Sequence, residues 1–305
     1  MTIGFSFDID GVLLKSGVLL PGVKETLLHI IEHNIPHMFL TNSAACTADE
    51  KAAQLSKLFG VDIPGNRVIL SHSPIGFLQQ KYQNDVVAVV GRPNCKHILK
   101  SHGYQNVLSS LDICSLIPDI YPYKKYTSDE ELDSSLLKRP IKALFVANDC
   151  FDWQRDLQIC LDILTSNGII GTSSPTQVID LYFSNPDYVY SARYPLPRMT
   201  MGSFTLCLKS LYHHQTGQEL KYTQFGKPHE VQFNIAEKVL RSQGATKFVM
   251  IDDNPLSGIK GANMRSNDWT SVLPLTGVAK GNSEENPADF VFDDVNEAVA
   301  YFLKE

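Results

Sequence analysis

The most limiting feature of this chain is a repeated order: a short apolar run, a polar turn at its end, then a helix with one apolar face. Ile3 to Phe7 reads as a strand, and Gly22 to Asn34 places Val23, Leu27, Ile30 and Ile31 at helical spacing. His37 to Leu40 gives a second strand ending at Thr41-Asn42. Thr47-Ala48-Asp49-Glu50 has the form of a capping box opening a helix, which Gly60 closes. Val68 to Leu70 supplies a third strand. Strands alternating with helices through short loops predict an α/β fold, a parallel sheet with helices on its faces. In such sheets ligands sit beyond the carboxyl ends of the strands, where Asp8, Thr41 and Asn42 fall.

From about residue 83 to 220 the rhythm loosens. Val86 to Val90 and Ala143 to Val146 read as strands, and Asp152 caps a helix carrying Leu157, Cys160, Leu161 and Leu164, ended by Gly168. Between them Pro118 to Pro140 is loop-rich, and Tyr121 to Tyr126 with the acids Asp129, Glu130 and Glu131 reads as an exposed excursion. Regular α/β order then returns. Pro228 stands early in a helix with Val231, Ile235 and Val239 on one face, and Lys247 to Ile251 is a strand ending at Asp252-Asp253. Ser271 to Leu275, Asp289 to Phe292 and a helix from Val295 complete the sheet. The simplest division is one unit made of residues 1–82 and 221–305, interrupted by a second of residues 83–220.

The chain has 305 residues, long enough for two coupled domains. With 27 Lys and Arg against 33 Asp and Glu, its net charge is −6. No overall basic field exists to hold a nucleic acid or an anionic membrane, so a phosphate-bearing ligand needs a local cation. No apolar run approaches the roughly 20 residues of a membrane span, and the first residues read as a strand rather than a signal peptide. Six cysteines without a C-x-x-C pair read as reduced thiols, not structural zinc ligands. The expected compartment is cytoplasmic, with mitochondrial as the alternative, and the oligomeric state is left open.

Asp8-Ile9-Asp10-Gly11 places two carboxylates at i and i+2, which in an extended segment project to the same side. Such a pair divides two jobs: one oxygen attacks phosphorus while the neighbour protonates the leaving oxygen and later deprotonates water. Turns and calcium loops also use this pattern, but the residue at the closing position of a calcium loop is Leu19, not glutamate. Thr41-Asn42 offers a hydroxyl and an amide for phosphate oxygens, or a simple helix-start turn. Gly226-Lys227-Pro228 places a lysine before a helix, a location that favours anions, although a surface lysine reads the same way. Asp252-Asp253 at a strand end repel unless a cation intervenes, and hard oxygens suit magnesium. His213-His214 reads as the exposed end of a helix, and Trp153 as a packing anchor. Arg193 and Arg198 lie where the insert returns, and a grip on an anionic substrate is the sharper of their two readings.

The order acid pair, Thr-Asn, Lys, acid pair resembles the haloacid dehalogenase (HAD) superfamily of aspartyl-phosphate-forming hydrolases. In receiver domains, which use similar residues, the lysine comes last, whereas Lys227 precedes Asp252. The resemblance is nearest to the class IIA, NagD-like group. It is carried by Asp8-Ile9-Asp10-Gly11-Val12-Leu13, Leu20-Pro21-Gly22, Phe39-Leu40-Thr41-Asn42-Ser43, Gly226-Lys227-Pro228 and Asp253-Asn254-Pro255. The segments 152–158, 185–187 and 195–198 look like the cat-eye-syndrome-critical-region subgroup.

The resemblance implies a Rossmann-like core, a large inserted α/β C2 cap and Mg2+-dependent phosphatase activity on a small phosphorylated metabolite. It implies Asp8 as nucleophile and metal ligand, and Asp10 as general acid/base giving its carbonyl to the metal. Thr41, Asn42 and Lys227 would hold the phosphoryl group, and Asp253 would complete the metal ligands. Aspartate rather than threonine at position 10 points to monoester hydrolysis, since a leaving alkoxide needs an acid. One departure stands out. The class IIA pattern is Gly-Asp-Asn with a further aspartate five residues after the first, and here Asp252 replaces the glycine while Gly258 replaces the second aspartate. We expect Asp252 to restore the missing carboxylate as a metal ligand; the alternative is a catalytically weak or inactive relative that binds or regulates.

Overall fold

The computed structural model describes residues 2–127, 131–190, 194, 196–265 and 267–304. Asp129, Glu130, Arg193 and Pro195 fall outside them. Two parallel sheets dominate. The larger has six strands in the order Phe290–Phe292, Trp269–Pro274, Lys247–Ile251, Ile3–Phe7, His37–Leu40, Val68–Ile69. The chain builds outward from Ile3–Phe7 on one side, leaves, and returns to build outward on the other. The order therefore reverses between Ile3–Phe7 and Lys247–Ile251, which is where an open α/β sheet forms its ligand crevice.

Alternation along the strands sets the layers. Phe5, Phe7 and Phe39 face helices Val23–Glu32, Ala48–Phe59 and Val295–Phe302, while Met38, Leu40, Phe248 and Met250 face helices Glu230–Ser242 and Lys260–Asn263. The capping box is present as expected: the Thr47 hydroxyl accepts the Glu50 N–H and the Glu50 carboxylate accepts the Thr47 N–H, with Gly60 closing the helix. Helix Glu230–Ser242 departs from expectation. Its buried face is Gln232, Phe233, Ala236 and Leu240, whereas Val231 is exposed and Ile235 and Val239 are only half-buried. Pro228 lies in the turn before this helix.

The second sheet has five parallel strands in the order Thr223–Gln224, Asp180–Phe183, Ile141–Val146, Val86–Val90, Asn106–Ser109. Thr223–Gln224 pairs here although it lies past residue 220. Both faces are covered, with Phe145 and Tyr182 on one side and Leu144, Val146 and Phe183 on the other. Trp153 packs edge-on to Phe204, and all six cysteines are free thiols. His213 and His214 are exposed near the end of helix Met201–Thr216. The aromatic half of the expected excursion is packed rather than exposed: Tyr121 is 6% exposed, and the Tyr126 hydroxyl donates to Asp152, while Tyr123 stays in solvent. No helix of the described residues is long and apolar enough to cross a membrane.

Burial gives His37 a readable pH signature. Its Nδ1 lies 2.8 Å from the Ile35 carbonyl and its Nε2 2.9 Å from the Arg67 guanidinium, so the bonds select the neutral ring with Nδ1 as donor. Burial first, then Arg67, lower its pKa from 6.5 to about 4. A lowered folded value contributes stability above the unfolded pKa that is lost as pH falls toward 4. The loss is about 3 kcal/mol. Urea unfolding at pH 7 and pH 4.5 should show a smaller acid loss in His37→Gln than in the wild type; equal losses would contradict the assignment.

Candidate active site

The site forms because neighbouring strands end together. Phe7 pairs with Ile251 and with Phe39, so Asp8 follows its strand beside Asp252 and near Thr41. The Asp8 N–H continues the ladder to the Ile251 carbonyl at 2.9 Å, as the Asp252 N–H does to Val272. Gly11, at φ +94°, turns the chain past the acids, and any side chain there would strike the Asp253 carboxylate. Asp10 is exposed and lines the same cleft.

Lys227 reaches these carboxylates from the turn just after Thr223–Gln224, the edge strand of the five-stranded sheet. Its Nζ donates to Asp8 Oδ1 at 2.7 Å and to Asp252 Oδ2 at 2.6 Å, with the lysine only 2% exposed. Carboxylate oxygens of Asp8, Asp252 and Asp253 lie within 4.8 Å of one another. Three buried carboxylates against one ammonium leave two negative charges in excess. The physical consequences run as they must: burial, then Asp252, push Asp253 up to about 7, and burial raises Asp8 well above its ordinary value against the pull of Lys227. For Lys227, burial opposes its charge but Asp252 and Asp8 outweigh it, and its pKa is raised. A buried acid cluster with this surplus is chemically suited to a hard divalent cation.

Asp252 and Gly258 explain each other. Asp252 Oδ1 accepts the Asn254 N–H at 2.8 Å and Oδ2 is taken by Lys227, so its first engagement is with the lysine. A Cβ at residue 258 would lie 2.5 Å from both Cβ and Cγ of Asp252. The carboxylate therefore occupies the space that a residue-258 side chain would use, and glycine is what leaves room for it. Asp253 Oδ2 accepts the Val278 N–H at 2.6 Å.

Thr41 and Asn42 meet at the site but differ in what they have free. The Thr41 hydroxyl oxygen accepts the Ser43 N–H at 3.1 Å and keeps its proton for another acceptor. The Asn42 side chain is committed inside the protein: Oδ1 accepts the Lys227 N–H at 2.7 Å, and Nδ2 donates to the Lys227 carbonyl at 3.0 Å and to Asp187 Oδ2 at 3.1 Å. A cleft of about 710 Å³ opens above these groups. Its wall on the side of the five-stranded sheet includes Arg92, Asn148, Asp149, Asp187 and Thr200, none of them singled out as site residues from sequence. Asn148 and Asn94 donate to the Ala44 and Ala45 carbonyls, gripping the loop after Asn42. Arg198 is exposed and stacks over Tyr194, 4.4 Å from the ring centre.

Two family profiles match, one described as haloacid dehalogenase-like hydrolase over residues 5–105 and one as HAD-hydrolase-like over residues 224–298. Over 99% of its length the chain is 34% identical to a cardiolipin synthase (CMP-forming)/mitochondrial hydrolase fusion protein of Schizosaccharomyces pombe, and spans about half (53%) of that protein. It is 29% identical to a mitochondrial hydrolase of Saccharomyces cerevisiae, over 99% of this chain and 96% of that one. In solved structures, NagD of Escherichia coli K-12 superposes with a TM-score of 0.62 at 19% identity, over 97% of this chain and 98% of that one. The acid pair, the lysine and the second acid pair thus stand at the strand ends of a fold shared with NagD, and the chain belongs to the haloacid dehalogenase-like hydrolases.

Proposed function

We propose that this chain is a magnesium-dependent phosphatase that hydrolyses a small phosphorylated metabolite through an aspartyl-phosphate on Asp8. In this reading residues 83–220 act as a C2-type cap over a core of residues 1–82 and 221–305. The observation that carries the proposal is the buried cluster in which Lys227 bridges Asp8 and Asp252 with Asp253 alongside. NagD of Escherichia coli, which matches part of this chain, is named a ribonucleotide monophosphatase.

An Asp8 carboxylate oxygen attacks phosphorus and the bond from phosphorus to the leaving oxygen breaks, while Asp10 gives that oxygen its proton. Asp10 then takes a proton from water, whose oxygen attacks phosphorus; the bond to Asp8 breaks, and inorganic phosphate leaves with Asp8 restored. Asp10 suits this exchange because it faces the cleft, whereas Asp8 is buried beneath it. Lys227 offsets charge on Asp8 and on the phosphoryl oxygens. Thr41 offers its hydroxyl proton to the phosphoryl group. The Asn42 side chain is held elsewhere, so that residue serves the phosphoryl group through its backbone N–H. Magnesium, with Asp8, Asp253 and the Asp10 carbonyl as its protein ligands, would neutralise the surplus charge and polarise the phosphoryl oxygens.

The Asp252 carboxylate fills the space that a side chain at residue 258 would use, which favours a working site over an inactive relative. Phosphate release from phosphorylated sugars, glycerol phosphates, nucleotides and lipid head groups, with and without magnesium, tests the proposal. Turnover should require magnesium and fall by at least roughly 100-fold in Asp8→Asn. A folded protein with no turnover and no magnesium binding would contradict it.

A further inference from the structure

Lys227 stands only three residues beyond Gln224, the end of the edge strand of the five-stranded sheet, yet its ammonium serves the six-stranded one. Its backbone is fixed on both sides by one side chain, since Asn42 accepts its N–H and donates to its carbonyl. The remaining N–H of the same amide goes to Asp187. Asp187 is itself fixed, its N–H donated to Asn185 Oδ1 at 2.8 Å and its carbonyl accepting the Gly202 N–H at 2.8 Å. The approach to the lysine is closely packed: at Gly226, φ +91°, a Cβ would lie 2.5 Å from Pro186 Cδ and 2.8 Å from the Ser184 carbonyl. The segment 184–187 therefore presses on the backbone that carries the lysine.

We propose that Asp187 is a positioning residue: through Asn42 it holds the Lys227 backbone, and so the ammonium, in register with Asp8. The assignment rests on the phosphatase reading of the Asp8 site. It gives the second unit a route to the chemistry that involves no contact with the substrate. Asn42 has two N–H donors, and its nearer acceptors are the Lys227 carbonyl at 3.0 Å and Asp187 at 3.1 Å, with Ser257 Oγ farther off at 3.4 Å. Removing Asp187 leaves that N–H only the longer contact to Ser257 and so loosens the amide, with the lysine backbone it grips. Displacements of about 1 Å at a reacting group cost up to roughly 100-fold in rate.

The test compares wild type, Asp187→Ala and Asp187→Asn in the full chain, with p-nitrophenyl phosphate and magnesium, and measures hydrogen exchange at the Lys227 amide. Asp187→Ala is expected to lower kcat by roughly 10- to 100-fold with KM little changed, and to speed exchange at Lys227. Asp187→Asn keeps an acceptor oxygen for Asn42 and should restore both. A raised KM at unchanged kcat would make Asp187 a substrate contact and overturn the proposal, as would unchanged Lys227 exchange in Asp187→Ala. If no form of the protein releases phosphate, the phosphatase reading fails separately, and the amide exchange alone decides whether the tie exists.

Discussion

Lys227→Met is expected to abolish turnover and to make the fold depend on a divalent cation. The ammonium is 2% exposed and satisfies Asp8 and Asp252 together. Methionine fills much of the volume but leaves three buried carboxylates with no ammonium beside them. Breaking a buried ion pair from one side costs about 3–5 kcal/mol, a large share of the roughly 5–15 kcal/mol that holds a domain. Magnesium stabilises whatever it binds by mass action, so the increase in urea midpoint on adding magnesium should be larger in the variant than in the wild type. In catalysis the loss should be on the order of 100-fold or more, since a charge-stabilising group is removed. A variant as stable as wild type in chelator, or one that keeps full turnover, would show that the lysine does not hold this cluster together.

The second large effect belongs to residues 252 and 258. Asp252→Gly should cost about 3–5 kcal/mol by taking a partner from Lys227. Gly258→Asp should also be damaging, because its Cβ would lie 2.5 Å from Asp252 Cβ and Cγ, and overpacking costs about 1–3 kcal/mol or more. The backbone at Gly258 lies outside the left-handed region, so space alone excludes a side chain there. Asp252→Gly combined with Gly258→Asp exchanges the two and should recover turnover to within about tenfold of wild type, a coupling of the size seen between residues in contact. Steady-state kinetics and urea midpoints of the four proteins check this. A double variant no better than the worse single one would mean that the carboxylate at 252 does something a carboxylate from 258 cannot.

These effects mark where sequence reading succeeds and where it stops. The strands, the capping box at Thr47 and the approach of Asp8 to Thr41 and Asp252 follow from local patterns, because strand ends in a parallel sheet share one edge. Helix Glu230–Ser242 misled the pattern because Val231, Ile235 and Val239 mimic an apolar face. The face that is buried includes Gln232, whose amide donates to the Ser71 carbonyl at 3.1 Å. A polar residue whose N–H is held by a distant backbone group leaves no apolar signal.

The exchange of acid and glycine at 252 and 258 is visible in the sequence as a departure, and Asp252 stands in the carboxylate cluster expected from it. Only the structure shows that one side chain excludes the other, and that Lys227 is the first partner of Asp252. The side-chain partners of Asn42 are equally hidden, since Asp187 and Lys227 lie 145 and 185 residues away. Nothing in the spacing of a Thr-Asn pair announces bonds to residues so far along the chain.

In the proposed reaction phosphorus passes through Asp8. The direct measurement is to mix the protein with a turned-over substrate labelled in its phosphate, quench in acid, and map the label retained on the chain. The account predicts an acid-stable, hydroxylamine-sensitive phosphate on the peptide containing Asp8, absent from Asp8→Asn. Turnover with no label on that peptide, and undiminished in Asp8→Asn, would contradict it.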